Sequence, residues 1–582
     1  MKKVYVIIFI FAALLHSSCS FLGEEPQGVL TEGTVTAIEN LDNLCIAAYA
    51  ALGNDHYTSP LSLWPYGSVR SDDAYKGGRD ESDIQEYHFV EIASDIQTNF
   101  ANPDELWYLC YVGIGRANTA IRALQHYDSL AFPLRDQRIA EMRFIRGHFH
   151  FLLKQLFKHI PYIAEDIPAQ GFESLKDMPE TERVIAYINN VSNITYSNDS
   201  LWALIAADFR YGYEHLPQIQ KEIGRPTQYA AAAYLAKTML YKAYRQDEQH
   251  NVVEINADDL KQVITYTDIV LNSHHQLESD YARNFLPETE NGIESIFAIQ
   301  FSTGDGTKFG RVNTSDVLNF PLGIGGCDFH KPSQNLVNAF KTTNGLPQFD
   351  YFNDSNYGYS GSSPLNNYNN AEGEVDTRLY HTVALPGYPF KYDYSIYEQS
   401  WNRNIPVYGI YATMKECVSP ESDAFIEMPP FLATSMNRIV IRYADVLLWR
   451  AEALIELNQD LNHARDLINQ VRDRARLSTQ HIPYARNCRI DLYPAEYNNQ
   501  ELLRTALRWE RRMEFAMEGS RFFDLTRWGI AAEVMNAYYL REQTLRTYMQ
   551  GAIFDKNKEE YLPIPLQQIS FSKGLYKQNY GY

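Results

Sequence analysis

Cysteine is scarce in this chain. Its 582 residues hold six, Cys19, Cys45, Cys110, Cys327, Cys417 and Cys488, widely scattered and with no C-x-x-C pair. That excludes a dense disulfide framework and gives no zinc signature. Setting Cys19 aside leaves an odd five, with room for one isolated disulfide in an oxidising compartment. Positive charge is also short: 52 Lys plus Arg stand against 72 Asp plus Glu, a net −20. A phosphate backbone calls for a concentrated basic surface, so nucleic acid is excluded as a partner. Electrostatic adhesion to anionic lipid is excluded on the same ground, so any membrane attachment has to be hydrophobic. Catalytic signatures are missing as well: no H-E-x-x-H, no G-x-S-x-G, no Walker-type or G-x-G-x-x-G loop. His148 and His150 are two apart on a predicted helix, which turns them to different faces and argues against a shared metal. Acidic residues are numerous enough to contain a glycosidase-like carboxylate pair, but abundance is not a constellation.

One long apolar run is present, at the very start. Lys2 and Lys3 precede "VYVIIFIFAALL" (4–15), and Ser17 and Ser18 lead into Cys19. Positive, apolar, small is the order of a secretory signal peptide. The run is short of the roughly 20 residues that cross a bilayer. The cysteine after two small residues resembles a bacterial lipoprotein cleavage site, with His16 where that pattern usually has Leu. The expectation is a signal peptide over 1–18, then a lipidated Cys19 and a polar tether over 19–36.

The body of the chain is 45% apolar and 21% charged, which suits folded, soluble globular protein of considerable size. From 37 to 276 the pattern predicts amphipathic helices over 37–52, 104–124, 136–157, 201–216 and 227–244, in consecutive pairs like stacked hairpins. From 277 to 436 helical periodicity is lost. Gly, Asn, Ser, Tyr and Pro dominate, and long loops or short strands are expected. Long ordered loops are usually functional, so the ligand-binding surface is placed here. From 437 to 582 helices return. Ala444, Leu448, Ala451 and Ile455 form one apolar stripe and Leu461, Ala464, Ile468, Val471 and Ala475 another, joined by "NQD": one tetratricopeptide-like hairpin. In 501–529 Leu502, Ala506, Trp509, Met513 and Ala516 are read as an apolar face. The four arginines beside it are interleaved with Glu510, Glu514, Glu518 and Asp524, so they read as a charged brace with ion pairs along the helix rather than a phosphate site.

Several stretches carry a family resemblance: "LDNLCIAAYAAL", "MRFIRGHFHFLLKQLFKHIPY", "GRPTQYAAAAYLAKTMLYKAY", "PSQNLVNAFKTTNGLP", "IRYADVLLWRAEAL", "INQVRDRAR", "RRMEFAMEGSRFFDLTRWG", "YLPIPLQQI" and "QNYGY", in that order. Together they resemble the SusD/RagB family of bacterial surface lipoproteins. The resemblance implies a mainly α-helical fold, with tetratricopeptide-like hairpins forming a curved scaffold and a large irregular, loop-rich region packed on it. It implies an outer-membrane, cell-surface location, a SusC-like TonB-dependent transporter as partner, an oligosaccharide as ligand, and no enzymatic activity. A peptide ligand in the same family, or a scaffold that binds no ligand, are the competing readings.

Aromatics make up 13% of the chain, with 42 Tyr. A sugar site needs exposed rings for stacking, with amide, carboxylate or guanidinium groups beside them for paired hydroxyls. Loops offering that mixture supply the candidates: Trp64, Tyr66, Asp73 and Tyr75 in 63–83, Tyr357 and Tyr359 in 354–361, and Trp401, Asn402 and Arg403 in 395–404. Trp107, Trp202, Trp449 and Trp509, in regular helices, are assigned to packing. No cofactor is expected. The oxygen-rich loop after Asn353 offers calcium-type ligands but lacks EF-hand spacing and reads as solvated.

Overall fold

The computed structural model describes residues 36–53, 55–166, 178, 186–187 and 189–582. Cys19, the expected signal peptide and all of the tether but Thr36 lie outside the described residues.

Helices dominate, and their starts are written in the sequence. Ser197, Thr227, Asn256, Asp460 and Asn499 each accept a backbone N–H from the first turn of the helices Asn198–His215, Gln228–Ala243, Ala257–Leu271, Leu461–Leu477 and Gln500–Phe515. Such a cap is worth about 1 kcal/mol. The helix Arg135–Phe157 matches its expected span closely. The helix Ala101–Gln125 takes Pro103 into its first turn, where the missing N–H costs nothing.

These helices pack mainly against their neighbours in the chain. Ala101–Gln125 lies against Arg135–Phe157, Asn198–His215 against Gln228–Ala243, Gln228–Ala243 against Ala257–Leu271, and Tyr443–Glu456 against Leu461–Leu477, as the expected hairpin requires; Ala257–Leu271 also meets Tyr443–Glu456. Small residues set the close approaches: Gly113 faces the Phe149 ring with no room for a Cβ, and a Cβ on Gly212 would meet Ala231 Cβ at 3.2 Å. The contact between Ala257–Leu271 and Tyr443–Glu456 joins helices on either side of the irregular region, so residues 277–436 are an interval between two helices that touch. That interval holds short strands and single helical turns, as its composition implies.

Two elements depart from expectation. Residues Arg438–Arg442 are a β-strand rather than the start of a helix, and they pair antiparallel with Ser295–Ile299. Ile439, Val440 and Ile441 are β-branched and suit a pleated surface. The helix begins at Tyr443, with the backbone N–H of Arg442 donating to Asp445. On Gln500–Phe515 the buried face is Leu503, Ala506, Leu507 and Met513, whereas Leu502 is exposed.

The charged brace exists, but its ion pairs reach to other elements rather than along the helix. Glu514 accepts from Arg378 at 3.0 Å and pairs with Arg442 at 2.5 Å and with Arg474. Glu510 pairs with Arg378 at 2.7 Å and Arg472 at 3.0 Å. Glu294, just ahead of the Ser295 strand, pairs with Arg442 at 2.9 Å and Arg474 at 2.6 Å. All these side chains are buried. Burial works against ionising Glu514, but Arg474, Arg442 and Arg378 outweigh it and hold its pKa down at about 2. One hydrophobic core takes residues from Leu41 to Ile564, and a second lies between the helices starting at Tyr443, Leu461 and Gln500.

The five described cysteines are unpaired. Among the described residues no helix is long and apolar enough to cross a membrane.

Candidate functional site

The segment 63–83 turns inward. Leu63 takes a positive φ of 58°, and Pro65–Val69 forms a wide helical turn. Ala74–Gly77 then pairs antiparallel with Phe329–Pro332, Tyr75 opposite Lys331. Gly77 and Gly78 have φ of 82° and 79°, and a Cβ on Gly78 would run into the Phe329 ring. These glycines admit a neighbouring strand rather than a ligand.

Four candidate binding residues go inside with this segment. The Trp64 ring stacks on His330 at 5.1 Å and its Nε1 donates to the Ser315 carbonyl at 3.0 Å. Tyr66 is 1% exposed and meets Tyr87 edge-on. Asp73 accepts from Arg512 Nε at 2.9 Å, while the neighbouring Asp72 takes Arg521 at 2.9 Å and Arg512 at 3.0 Å. Tyr75 donates to Glu542 at 2.8 Å with the Arg546 guanidinium 4.2 Å above its ring. None of these four presents a face to solvent, so the expectation of exposed stacking rings here is corrected. The cause is charge: Asp72 and Asp73 are drawn in by Arg512 and Arg521, and the flanking rings follow.

Tyr357 and Asn402 are also buried. Tyr357 packs against Tyr368 at 6.1 Å. Asn402 is saturated, accepting from Lys331 and Tyr397 and donating to the carbonyls of Gln399 and Ile410. Both corrections have one reason: a polar loop residue satisfied by protein partners has nothing left for a ligand.

Trp401, Arg403 and Tyr359 keep exposed surface. Trp401 rests on Gly323, which has no room for a Cβ there, and is flanked by Tyr397 at 5.5 Å and Phe390 at 5.8 Å. One part of the indole is thus fixed and the rest stays accessible. The Arg403 backbone N–H donates to Asp328 at 2.6 Å, and its guanidinium lies 3.8 Å from Asp83. Asn404 donates to the Arg79 carbonyl at 2.7 Å, and Gln399 to the Leu365 carbonyl at 2.9 Å. Arg546 bonds the Val407 carbonyl, and Arg541 Nη2 approaches Asn356 Oδ1 at 3.4 Å. These bonds bring 79–83, 356–365 and 399–407 onto one strip of surface. Along it lie Arg79, Asp80, Asp83, Tyr359, Trp401 and Arg403. Asp80 is held charged, its pKa lowered to about 2 by the Ser82 hydroxyl and the Arg79 guanidinium. A partly exposed indole beside alternating guanidinium and carboxylate groups is the arrangement a polyhydroxylated ligand needs.

Among the described residues no group of three or more His, Cys, Asp and Glu is placed to hold a metal ion. His148 bonds Tyr234 at 2.6 Å and His150 bonds the Arg146 carbonyl at 3.1 Å, so the two imidazoles serve different neighbours. Trp107, Trp202 and Trp449 are buried and Trp509 is half-buried, in keeping with packing roles. Sequence reasoning missed a partly open pocket of about 200 Å³ bordered by Trp64, which shares no lining residue with the surface strip.

Comparison with known proteins follows the same lines. The model of the SusD family matches residues 293–582, and a second, described as starch-binding associating with outer membrane, matches 21–240. SusD-like protein P25 of Formosa agariphila is 24% identical, the match covering the whole of both chains. A SusD-like carbohydrate binding protein from Bacteroides fragilis has the same fold, with a TM-score of 0.69 at 22% identity over 94% of this chain and 99% of that one. Surface glycan-binding protein A from Bacteroides fluxus gives a TM-score of 0.63 at 21% identity, covering 95% of this chain and 100% of that one. With two family models accounting for most of its length and the helical stack shared with these structures, the chain belongs to the SusD/RagB family.

Proposed function

We propose that the protein is a lipid-anchored cell-surface subunit that binds oligosaccharide on the strip around Trp401, Arg403, Asp83 and Tyr359. In this reading it hands the ligand to a SusC-like TonB-dependent transporter in the outer membrane. The observation that carries the reading is the strip itself: three sequence-distant loops, held by named hydrogen bonds, bring a partly exposed indole beside paired guanidinium and carboxylate groups. Family membership supports it. SusD-family glycan-binding proteins are non-catalytic, and the two structures compared, from Bacteroides fragilis and Bacteroides fluxus, are described as carbohydrate- and glycan-binding. Cys19 supplies the acylated anchor in this scheme, which suits a chain whose net −20 charge gives no attraction to anionic lipid.

Affinity electrophoresis through gels cast with a panel of polysaccharides tests the proposal. Retardation by at least one glycan, lost when Arg403 and Asp83 are replaced by Ala, is the expected result. A protein that migrates freely through every glycan but shifts with oligopeptides would transfer the role to peptide uptake. Mass spectrometry of the native protein tests the anchor, which predicts a mature chain beginning at an acylated Cys19.

A further inference from the structure

A partly open pocket of about 200 Å³ lies where four helices of the stack meet the inner loops. Its wall is built from residues one turn apart: Lys237 and Tyr241 on Gln228–Ala243, Asp445 and Trp449 on Tyr443–Glu456. Gln155 reaches it from Arg135–Phe157 and Arg511 from Gln500–Phe515.

Most charges around the cavity are already paired. Arg511 holds Asp524 at 2.7 Å, and Lys415 holds Glu518 at 2.6 Å. Lys237 stands apart. Its ammonium makes no hydrogen bond or ion pair with any described residue, and what surrounds it is aromatic: Phe151 at 5.0 Å, Tyr234 at 5.7 Å and Trp449 at 6.0 Å. Lys237, Gln155 and Tyr241 each keep some accessible surface although they lie deep in the fold, because they border the cavity. The Gln155 amide and the Tyr241 hydroxyl likewise have no hydrogen-bond partner among the described residues. The nearest carboxylate, Asp445, is turned toward the Arg442 backbone N–H at 3.2 Å and lies 3.9 Å from Arg511. Lys237 is half-buried, and burial pulls its pKa down. Three polar tips with no protein partner, bordering one ring-lined space, are what a ligand pocket offers.

We propose that this cavity is a second ligand site, separate from the surface strip, and that it takes a small organic anion: a carboxylate facing Lys237, with a flat apolar body against Trp449. Gln155 and Tyr241 supply neutral hydrogen bonds beside it.

Titration calorimetry with benzoate, benzamide and benzylammonium on the full chain tests this. Benzoate binds with one-to-one stoichiometry, and the amide and the ammonium bind at least tenfold more weakly. Lys237→Met abolishes benzoate binding while glycan retardation, which rests on Arg403 and Asp83, is unchanged. Should Lys237→Met not fold, a crystal of the unaltered protein soaked in 4-bromobenzoate gives the same answer, with an anomalous bromine peak inside the cavity. Equal affinity for all three probes, preference for benzylammonium, or no bromine in the cavity overturns the proposal.

Discussion

Gly67 and Gly519 meet backbone to backbone. A Cβ on Gly67 would fall inside the Gly519 carbonyl, and Gly519 in turn donates its N–H to Ser68 Oγ at 3.2 Å. The contact locks the inward-turning 63–83 segment to the bend after Gln500–Phe515, where Gly519 needs a φ of 74°. Gly67→Ala therefore forces two main chains apart. The expected loss is about 3 kcal/mol, at the upper end for overpacking, read as a lower urea midpoint with an unchanged slope.

Glu514 is the hub of the buried arginine cluster, and neutralising it leaves three guanidinium groups underpaired. Glu514→Gln is expected to cost about 3–5 kcal/mol. The pH dependence follows from the same pairing. Its folded pKa of about 2 lies below the ordinary value of 4.5, so its stabilisation is fully present above that value. It is lost as pH falls from there toward 2. Denaturant midpoints of the unaltered protein should drop steeply below pH 4.5, and those of Glu514→Gln should drop less.

Asp316 has the opposite sign. Burial first, and then Glu416, push its pKa up to about 6 from 3.8, while it accepts from Ser62 at 2.9 Å and Asn313 at 2.7 Å. A carboxyl raised on folding favours the folded state below the unfolded pKa, and that advantage is lost as pH rises through 6. Removing the titration with Asp316→Asn should flatten the stability profile between pH 4 and 7 by about 2 kcal/mol, measured by chemical denaturation at fixed salt.

Trp64 and Arg403, both read from sequence as ligand-facing, should behave differently. Trp64→Ala empties a core position and is expected to cost about 3–5 kcal/mol. Arg403→Ala, at an exposed site, should leave the melting temperature within about 2 °C and weaken glycan retardation severalfold. Differential scanning calorimetry alongside the gel assay separates the two.

The contrast shows what could be read from the chain. The helices Arg135–Phe157 and Leu461–Leu477 were legible because apolar spacing, and for the second the Asp460 cap, are local signals. The strand Arg438–Arg442 was not, because its partner strand lies some 140 residues earlier and three consecutive apolar, β-branched positions fit either period. For the candidate site residues, exposure was only half legible. Loop composition pointed to Trp401 and Arg403, which stay near the surface. It pointed equally to Trp64, Tyr66 and Tyr75, whose fate was decided by Arg512, Arg521 and Arg546 more than 400 residues downstream. Ion pairs at that separation leave no periodicity to find.

The pairing of Ala257–Leu271 with Tyr443–Glu456 has a consequence for how the molecule assembles. Helices adjacent in sequence can pack as soon as both are made, whereas this contact has to wait until everything between its two helices has emerged. Loop closure over such a length is a modest thermodynamic burden but a kinetic bottleneck. Folding should therefore proceed in two stages, an early amino-terminal stack and a late clasp, with the irregular segment the last to be enclosed.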